Sequence, residues 1–272
     1  MFRFYEYFYI IIRSNCRRFI QIKPILKYAG GKAREIKYFS KYFPSSFDRY
    51  IEPFVGGGAV YFHLQPEKAF INDLNSDLIN FYQQVQTNSE LLIDIIKDMP
   101  IDKDTYNQIR SAKYEAPFKR ALRYFYLNKT AYSGLMRYNS KGEFNTPYGN
   151  YKNPNFTITQ EQIDLLRSAE IHNCDFREIP ITYKTNDFIF CDPPYVETWK
   201  GYNKLHFSDE DQKELYHWFL GNTAQIMIVI NKVDWIAKMY ERFIKDEYQT
   251  TYGIDVNNGN KKIKTHLVIT NY

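Results

Sequence analysis

Short apolar runs alternate with polar, glycine-bearing breaks along most of the chain. Arg49 to Phe54, Lys68 to Asn72, Ala169 to Cys174, Asp187 to Asp192 and Gln225 to Asn231 have the length and the β-branched or aromatic character of buried strands. Ala59 to Leu64, Asp77 to Val85 and Val233 to Tyr240 predict helices, and Ser208 with Asp211 three residues on predicts the N-cap of another. Phe243 to Tyr252 and Lys264 to Thr270 predict a closing antiparallel pair, joined through the polar loop Asn257 to Lys262. Such alternation predicts an α/β chain with a doubly wound, Rossmann-like core. Between Leu91 and Arg167 it stops. There Leu91–Met99, Asp104–Tyr114 and Ala116–Lys129 predict helices, and the turn signal Asn139 to Gly142 between two aromatic runs predicts a β-hairpin. The expected organisation is an N-terminal arm over 1–22, a core made of 23–90 and 168–272, and a mainly helical insertion carrying a β-hairpin over 91–167.

Two breaks carry chemistry. Asp192-Pro193-Pro194-Tyr195 follows the strand beginning at Asp187, so its carboxylate stands at the rim of the sheet, where α/β proteins bind ligands. Two prolines remove two N–H groups and stiffen the turn, leaving carbonyl acceptors beside an aromatic ring. Acceptors and a flat ring suit a planar amine such as the exocyclic NH2 of a nucleobase; the plainer alternative is a proline turn with a structural aspartate. Upstream, Val55-Gly56-Gly57-Gly58 joins a strand to a helix, and three glycines let a ligand approach the backbone. Asp73 ends the next strand, where a carboxylate can accept both hydroxyls of a ribose.

Composition narrows the partner. The 272 residues carry a formal net charge of +5 with 25 Tyr and 21 Phe, a mixture that suits nucleic acid, since rings stack on bases and Lys or Arg meet phosphates. Lys113, Lys119, Arg120, Arg123, Lys129, Arg137, Lys141 and Lys152 concentrate in the insertion, marking it as a recognition module; for any one of them a solvated surface charge is the plainer reading. Cys16, Cys174 and Cys191 and the five histidines are scattered without metal-type spacing, so no metal site is expected and a reducing cytoplasm is. Phe8 to Ile12 is too short an apolar stretch to span a bilayer, and no small-residue cleavage site follows it, so no membrane association is expected.

In combination these motifs resemble the Dam family (D12 class) of DNA adenine-N6 methyltransferases, from about Lys23 to Tyr272. Lys27-Tyr28-Ala29-Gly30-Gly31-Lys32 resembles the family's opening K-W-A-G-G-K element, with Tyr28 where tryptophan is common. Glu52 to Gly58 resembles its glycine motif, Ile71-Asn72-Asp73 its ribose-binding acid, Asn145 to Tyr151 its hairpin, and Asp192 to Tyr195 its catalytic motif. The resemblance implies S-adenosylmethionine as cofactor, held by Tyr28, Lys32, Phe54, Gly56, Gly58, Asp73, Asp175 and Asp192. Lys32 also reads as a charge at a helix start. Catalysis falls to Asp192, Pro193, Pro194 and Tyr195. The family's base-reading positions fall on Lys27, Leu135, Arg137, Pro147 and Tyr151, with Tyr132 as a stacking or wedge residue and Ser133 where asparagine is usual. Arg suits guanine and the apolar pair suits a thymine methyl, so GATC in double-stranded DNA is the expected target.

The implied reaction is direct methyl transfer to N6 of a flipped adenine, with Asp192 and the Pro193 carbonyl accepting from N6–H and Tyr195 stacking on the base. Cys191, in the strand, is expected to be buried and to take no part. An N4-cytosine methyltransferase is the nearest alternative, together with a different adenine-containing target. A nicotinamide oxidoreductase fits poorly, because the glycine triplet lacks G-x-G-x-x-G spacing. A non-enzymatic DNA-binding protein would leave Lys32, Asp73 and Asp192 without purpose. The enzyme is expected to be a cytoplasmic monomer, with a cognate restriction endonuclease, if any, acting separately.

Overall fold

The computed structural model describes residues 21–195, 207–254 and 261–272. The N-terminal arm up to residue 20 and most of the polar loop after 254 lie outside these residues.

Seven strands form one sheet: β1 (Arg49–Glu52), β2 (Ala69–Asn72), β3 (Ala169–His172), β4 (Asp187–Cys191), β5 (Gln225–Asn231), β6 (Ile244–Ile254) and β7 (Lys261–Thr270). Their order is β3-β2-β1-β4-β5-β7-β6. The first five run parallel, and β7 lies antiparallel between β5 and β6. Because both faces of a parallel sheet are covered, its strands read as unbroken apolar runs. Side-chain alternation sorts them: Phe188 and Phe190 of β4 and Met227 and Val229 of β5 join one buried cluster, while Ile189, Cys191, Ile226, Ile228 and Ile230 join the other. The chain is thus an α/β protein with a doubly wound core. Between β1 and β4 the winding reverses, so the loops leaving their carboxyl ends part and leave a crevice.

Eight helices follow among the described residues: α1 (Ile36–Phe39), α2 (Ala59–Leu64), α3 (Ser76–Lys97), α4 (Lys103–Ser111), α5 (Pro117–Thr130), α6 (Gln160–Arg167), α7 (Asp209–Gly221) and α8 (Asp234–Met239). Most expected elements appear within a few residues of their bounds. Three differences are instructive. The two helices expected at Asp77–Val85 and Leu91–Met99 are one 22-residue element with a single non-helical residue, Asn88 at φ −131°; buried Val85, Ser89 and Leu92 continue one inner face across it. Helix α6 was not expected, although Thr159 and Gln162 cap it reciprocally in a capping box. The hairpin consists of a turn and two loosely paired arms, not regular strands: Asn145 N donates to Arg137 O at 2.9 Å and Asn139 N to Glu143 O at 2.9 Å, with bridges only at Ala131–Tyr148 and Tyr138–Phe144. Proline at 147 and positive φ at Ser133 and Gly134 break the ladder. Lys32 opens a 3-10 turn, Lys32–Arg34, so the helix-start reading describes only its backbone.

Candidate active site and nucleic-acid interface

Tyr28, Lys32, Phe54, Gly56, Asp73, Asp175, Asp192, Pro193, Pro194 and Tyr195 all line one cleft of about 530 Å3 over the carboxyl ends of β1, β2 and β4. At Gly56, φ is +48°, and an added Cβ would lie 2.8 Å from the Tyr28 ring; at Gly57 it would lie 2.6 Å from Tyr28 Cβ. Glycine is therefore what lets the aromatic ring lie against the loop. Gly58 is absent from the cleft wall. At φ 69° it is the N-cap of α2, with Phe62 occupying the space a Cβ would need.

The Lys32 side chain is 2 % exposed, and its Nζ uses all three of its protons: on Asp192 Oδ2 at 2.7 Å, Tyr195 Oη at 2.7 Å and Gly30 O at 3.1 Å. Asp192 keeps 22 % of its side chain open to the cleft. Among the described residues its other oxygen, Oδ1, has only a long 3.4 Å contact from the Tyr195 hydroxyl, so it retains acceptor capacity. Burial raises its pKa above the ordinary aspartate value, although the Lys32 charge pulls the other way. From α7, Gln212 donates to Pro194 O at 3.2 Å, supplying a donor to a turn whose prolines have none.

Asp73 Oδ2 accepts from Gly56 N and Oδ1 from Asn75 N, both at 2.9 Å, and each oxygen keeps a lone pair toward the cleft. Burial again raises its pKa. Behind it, Asn72 donates to Pro53 O at 3.0 Å and Cys174 O at 2.9 Å and accepts from Cys174 N at 3.0 Å, tying the loops after β1 and β3 together. Asp175 is gripped by Arg177 through Nε and a second nitrogen at 2.6 Å each, which holds its pKa low; Arg177 also reaches Asp211 and Glu214 of α7. Cys191 is fully buried and its thiol pKa is pushed up by burial.

A second assembly brings together the seven expected DNA-contacting positions. Asn128, on α5, clamps the backbone of Lys27, accepting from its N at 3.0 Å and donating to its O at 2.7 Å. Lys27 Nζ lies 4.0 Å over the Tyr151 ring, and the Tyr151 hydroxyl accepts from Ser133 N at 3.0 Å. Tyr132 N donates to Pro147 O at 2.9 Å, and Thr146 Oγ1 donates to Leu135 O at 2.8 Å. Tyr132, 59 % exposed, Ser133, Leu135, Arg137 and Pro147 all face solvent. Arg137 Nε donates to Asn145 Oδ1 at 2.8 Å, which props its guanidinium along the hairpin.

Residues 28–254 match the model of the D12 class N6 adenine-specific DNA methyltransferases. The chain belongs to that family. Among its relatives is the type II methyltransferase M.CviBI of Paramecium bursaria Chlorella virus NC1A, 36 % identical over 92 % of this chain and 100 % of that protein. The type II methyltransferase M1.LlaDCHI of Lactococcus lactis subsp. cremoris is 31 % identical over 93 % and 96 %. The DNA adenine methylase of Escherichia coli K12 is 29 % identical over 71 % and 74 %. This D12 methyltransferase is therefore an adenine-specific DNA-modifying enzyme, and the N4-cytosine, oxidoreductase and non-enzymatic alternatives fall away. Among the described residues no group of His, Cys, Asp and Glu could hold a metal ion, and no helix is long and apolar enough to cross a membrane.

Sequence reasoning gave no role of their own to Glu52, Asn72, Asn128 and Gln212, all buried polar side chains. Asn72 had a visible signal, a polar residue closing an otherwise apolar strand whose amide must find partners.

Proposed function

We propose that this methyltransferase uses S-adenosylmethionine to methylate N6 of an adenine extruded from duplex DNA, within GATC. The observation that carries the reading is the Asp192 carboxylate, anchored on one oxygen by Lys32 and facing the cleft with the other. The cleft suits the donor in volume, in the Tyr28 ring held against a glycine loop, and in its surplus of carboxylates toward a cationic ligand. When bound, S-adenosylmethionine supplies an electrophilic methyl group. Tyr28, Lys32, Phe54, Gly56, Asp73 and Asp175 hold it, Asp73 through the lone pairs left over from its two amide bonds.

The chain's task at the base is to make N6 nucleophilic. Its lone pair is delocalised into the ring, and hydrogen bonds to Asp192 Oδ1 and the Pro193 carbonyl draw the nitrogen toward tetrahedral geometry. Tyr195 stacks on the base and helps offset the few kcal/mol of unstacking. Residues 91–167 form the recognition insertion on a core of 23–90 and 168–272. On it, Lys27 and Arg137 read guanine, Leu135 and Pro147 meet the thymine methyl, and Tyr132 and Ser133 occupy the space the adenine vacates. Each bidentate guanine contact contributes about 1–3 kcal/mol of discrimination. The enzyme acts as a cytoplasmic monomer, and any companion endonuclease works separately.

The test uses methyl-labelled S-adenosylmethionine, a GATC duplex and a duplex with that tetramer scrambled, followed by nucleoside analysis. N6-methyladenine only in the GATC duplex is expected. N6-methyladenine in both duplexes or in neither would overturn the reading of the hairpin and its target and leave only the fold standing.

A further inference from the structure

Glu52, the last residue of β1, is a wall of the cleft that neither the base nor the ribose claims. It is 2 % exposed, and its Oε2 accepts from the buried Tyr50 hydroxyl at 2.8 Å. Strand β1 pairs directly with β4, with Ile51 opposite Ile189, so Glu52 lies one strand away from the turn that presents the reacting amine. Such strands are about 4.8 Å apart. The cleft wall carries four acids, Glu52, Asp73, Asp175 and Asp192, against two bases, Lys32 and Lys264. Lys32 is committed to Asp192 and Asp175 is matched by Arg177. Among the described residues neither Glu52 nor Asp73 forms an ion pair, and Asp73 is satisfied by backbone amides.

A buried anion without a counter-charge is costly, and it favours any ligand that brings one. S-adenosylmethionine differs from S-adenosylhomocysteine, the product left after transfer, by the positive charge of its sulfonium. Resting on S-adenosylmethionine as donor, we propose that Glu52 reads this charge, so that the enzyme holds the cationic donor in preference to its neutral product. A charge acts over several ångströms in a poorly solvated cleft, so the discrimination needs no direct contact.

The surroundings of Glu52 agree with this role. Burial raises its pKa well above the ordinary value; the Tyr50 hydroxyl and the Tyr61 amide of α2 oppose that, while Asp192 and Asp73 add to it. Burial thus favours the protonated form of Glu52, and a cationic donor favours the ionised form, with release of a proton. Asp192 and Asp73 are raised in the same direction, so pH dependence alone does not single out Glu52, and comparison with a variant does.

The experiment is titration calorimetry of the full chain with S-adenosylmethionine, S-adenosylhomocysteine and sinefungin, in which an ammonium replaces the methylsulfonium. Glu52→Gln keeps an acceptor for Tyr50 and removes the charge. It is expected to weaken S-adenosylmethionine and sinefungin by about tenfold, as loss of one favourable charge interaction at this range implies, and to leave S-adenosylhomocysteine nearly unchanged. Proton release on S-adenosylmethionine binding, read from two buffers of different ionisation heat, falls with it. Equal weakening of all three ligands, or of none, overturns the proposal. If wild-type protein fails to bind S-adenosylmethionine, the donor assignment itself falls. Tyr50→Phe supplies a second route: deprived of its donor, Glu52 ionises less readily, and the preference for S-adenosylmethionine disappears at higher pH than in wild type. An unmoved pH profile also overturns the proposal.

Discussion

At the scale of single residues, the proposed chemistry turns on the Lys32–Asp192 pair. Asp192 acts only when ionised, because only then is it purely an acceptor. Its pKa is raised by burial and pulled down by Lys32, so activity is lost on acidification at a higher pH than an ordinary aspartate near 3.9 would give. Lys32→Met removes the lowering charge and should move that limb of the rate profile upward; a limb that stays in place would show that another group controls it. Asp192→Ala strands a nearly fully buried ammonium, a situation that costs about 3–5 kcal/mol where no water can help; the 22 % exposure of Asp192 makes the loss smaller here. It should abolish methylation, lower the melting temperature and leave duplex binding within a few-fold. Combining it with Lys32→Met should recover most of the stability and none of the activity. Recovery of turnover would remove Asp192 from the mechanism.

At the scale of elements, the segment from Lys27 to Lys32 makes three contacts in six residues: Lys27 over the Tyr151 ring, Tyr28 against the glycine loop, and Lys32 on Asp192. It is held from α5, where Asn128 grips Lys27 and Lys129 Nζ donates to Ile25 O. Burial pushes the Lys129 pKa down to about 8. Unfolded, it titrates near 10.4. Between those values the unfolded chain binds the extra proton, so this group makes stability rise with pH across that window. Melting curves of wild type minus Lys129→Met should show that rise above about pH 8; a flat difference would mean Lys129 stays charged when buried. None of these anchors was readable beforehand. The runs of β5 and α2 follow from local pattern alone, as does the Ser208 cap. Asn128 and Lys27, by contrast, are 101 residues apart, and Lys32 and Asp192 are 160 apart. A single sequence displays the residue types at both ends of such a pair and nothing that joins them. The resemblance to the family supplied what local pattern could not, a common site for Tyr28, Asp73 and Asp192, but no reason for Glu52 or Gln212.

At the scale of the whole molecule, charge is divided: a surplus of carboxylates walls the cleft while the chain as a whole carries +5. On the function proposed above, DNA phosphates meet the outer surface of residues 91–167, and the acidic cleft is left to the cationic donor and the uncharged base. Two exposed cations of the insertion separate the two kinds of contact. Lys119, on α5, lies in the solvent-facing first turn of its helix, whereas Arg137 is propped by Asn145 on the hairpin beside Leu135 and Pro147. A phosphate contact releases counterions and carries no sequence information; a base contact does the reverse. Lys119→Ala should weaken every duplex alike and reduce the slope of log affinity against log salt by about one. Arg137→Ala should cost about 1–3 kcal/mol on the cognate duplex and much less on duplexes altered at the guanine it reads. Binding titrations at several salt concentrations, on cognate and singly substituted duplexes, distinguish the two. If Arg137→Ala weakens all duplexes equally and lowers the salt slope as Lys119→Ala does, the hairpin grips the backbone and the target is read elsewhere.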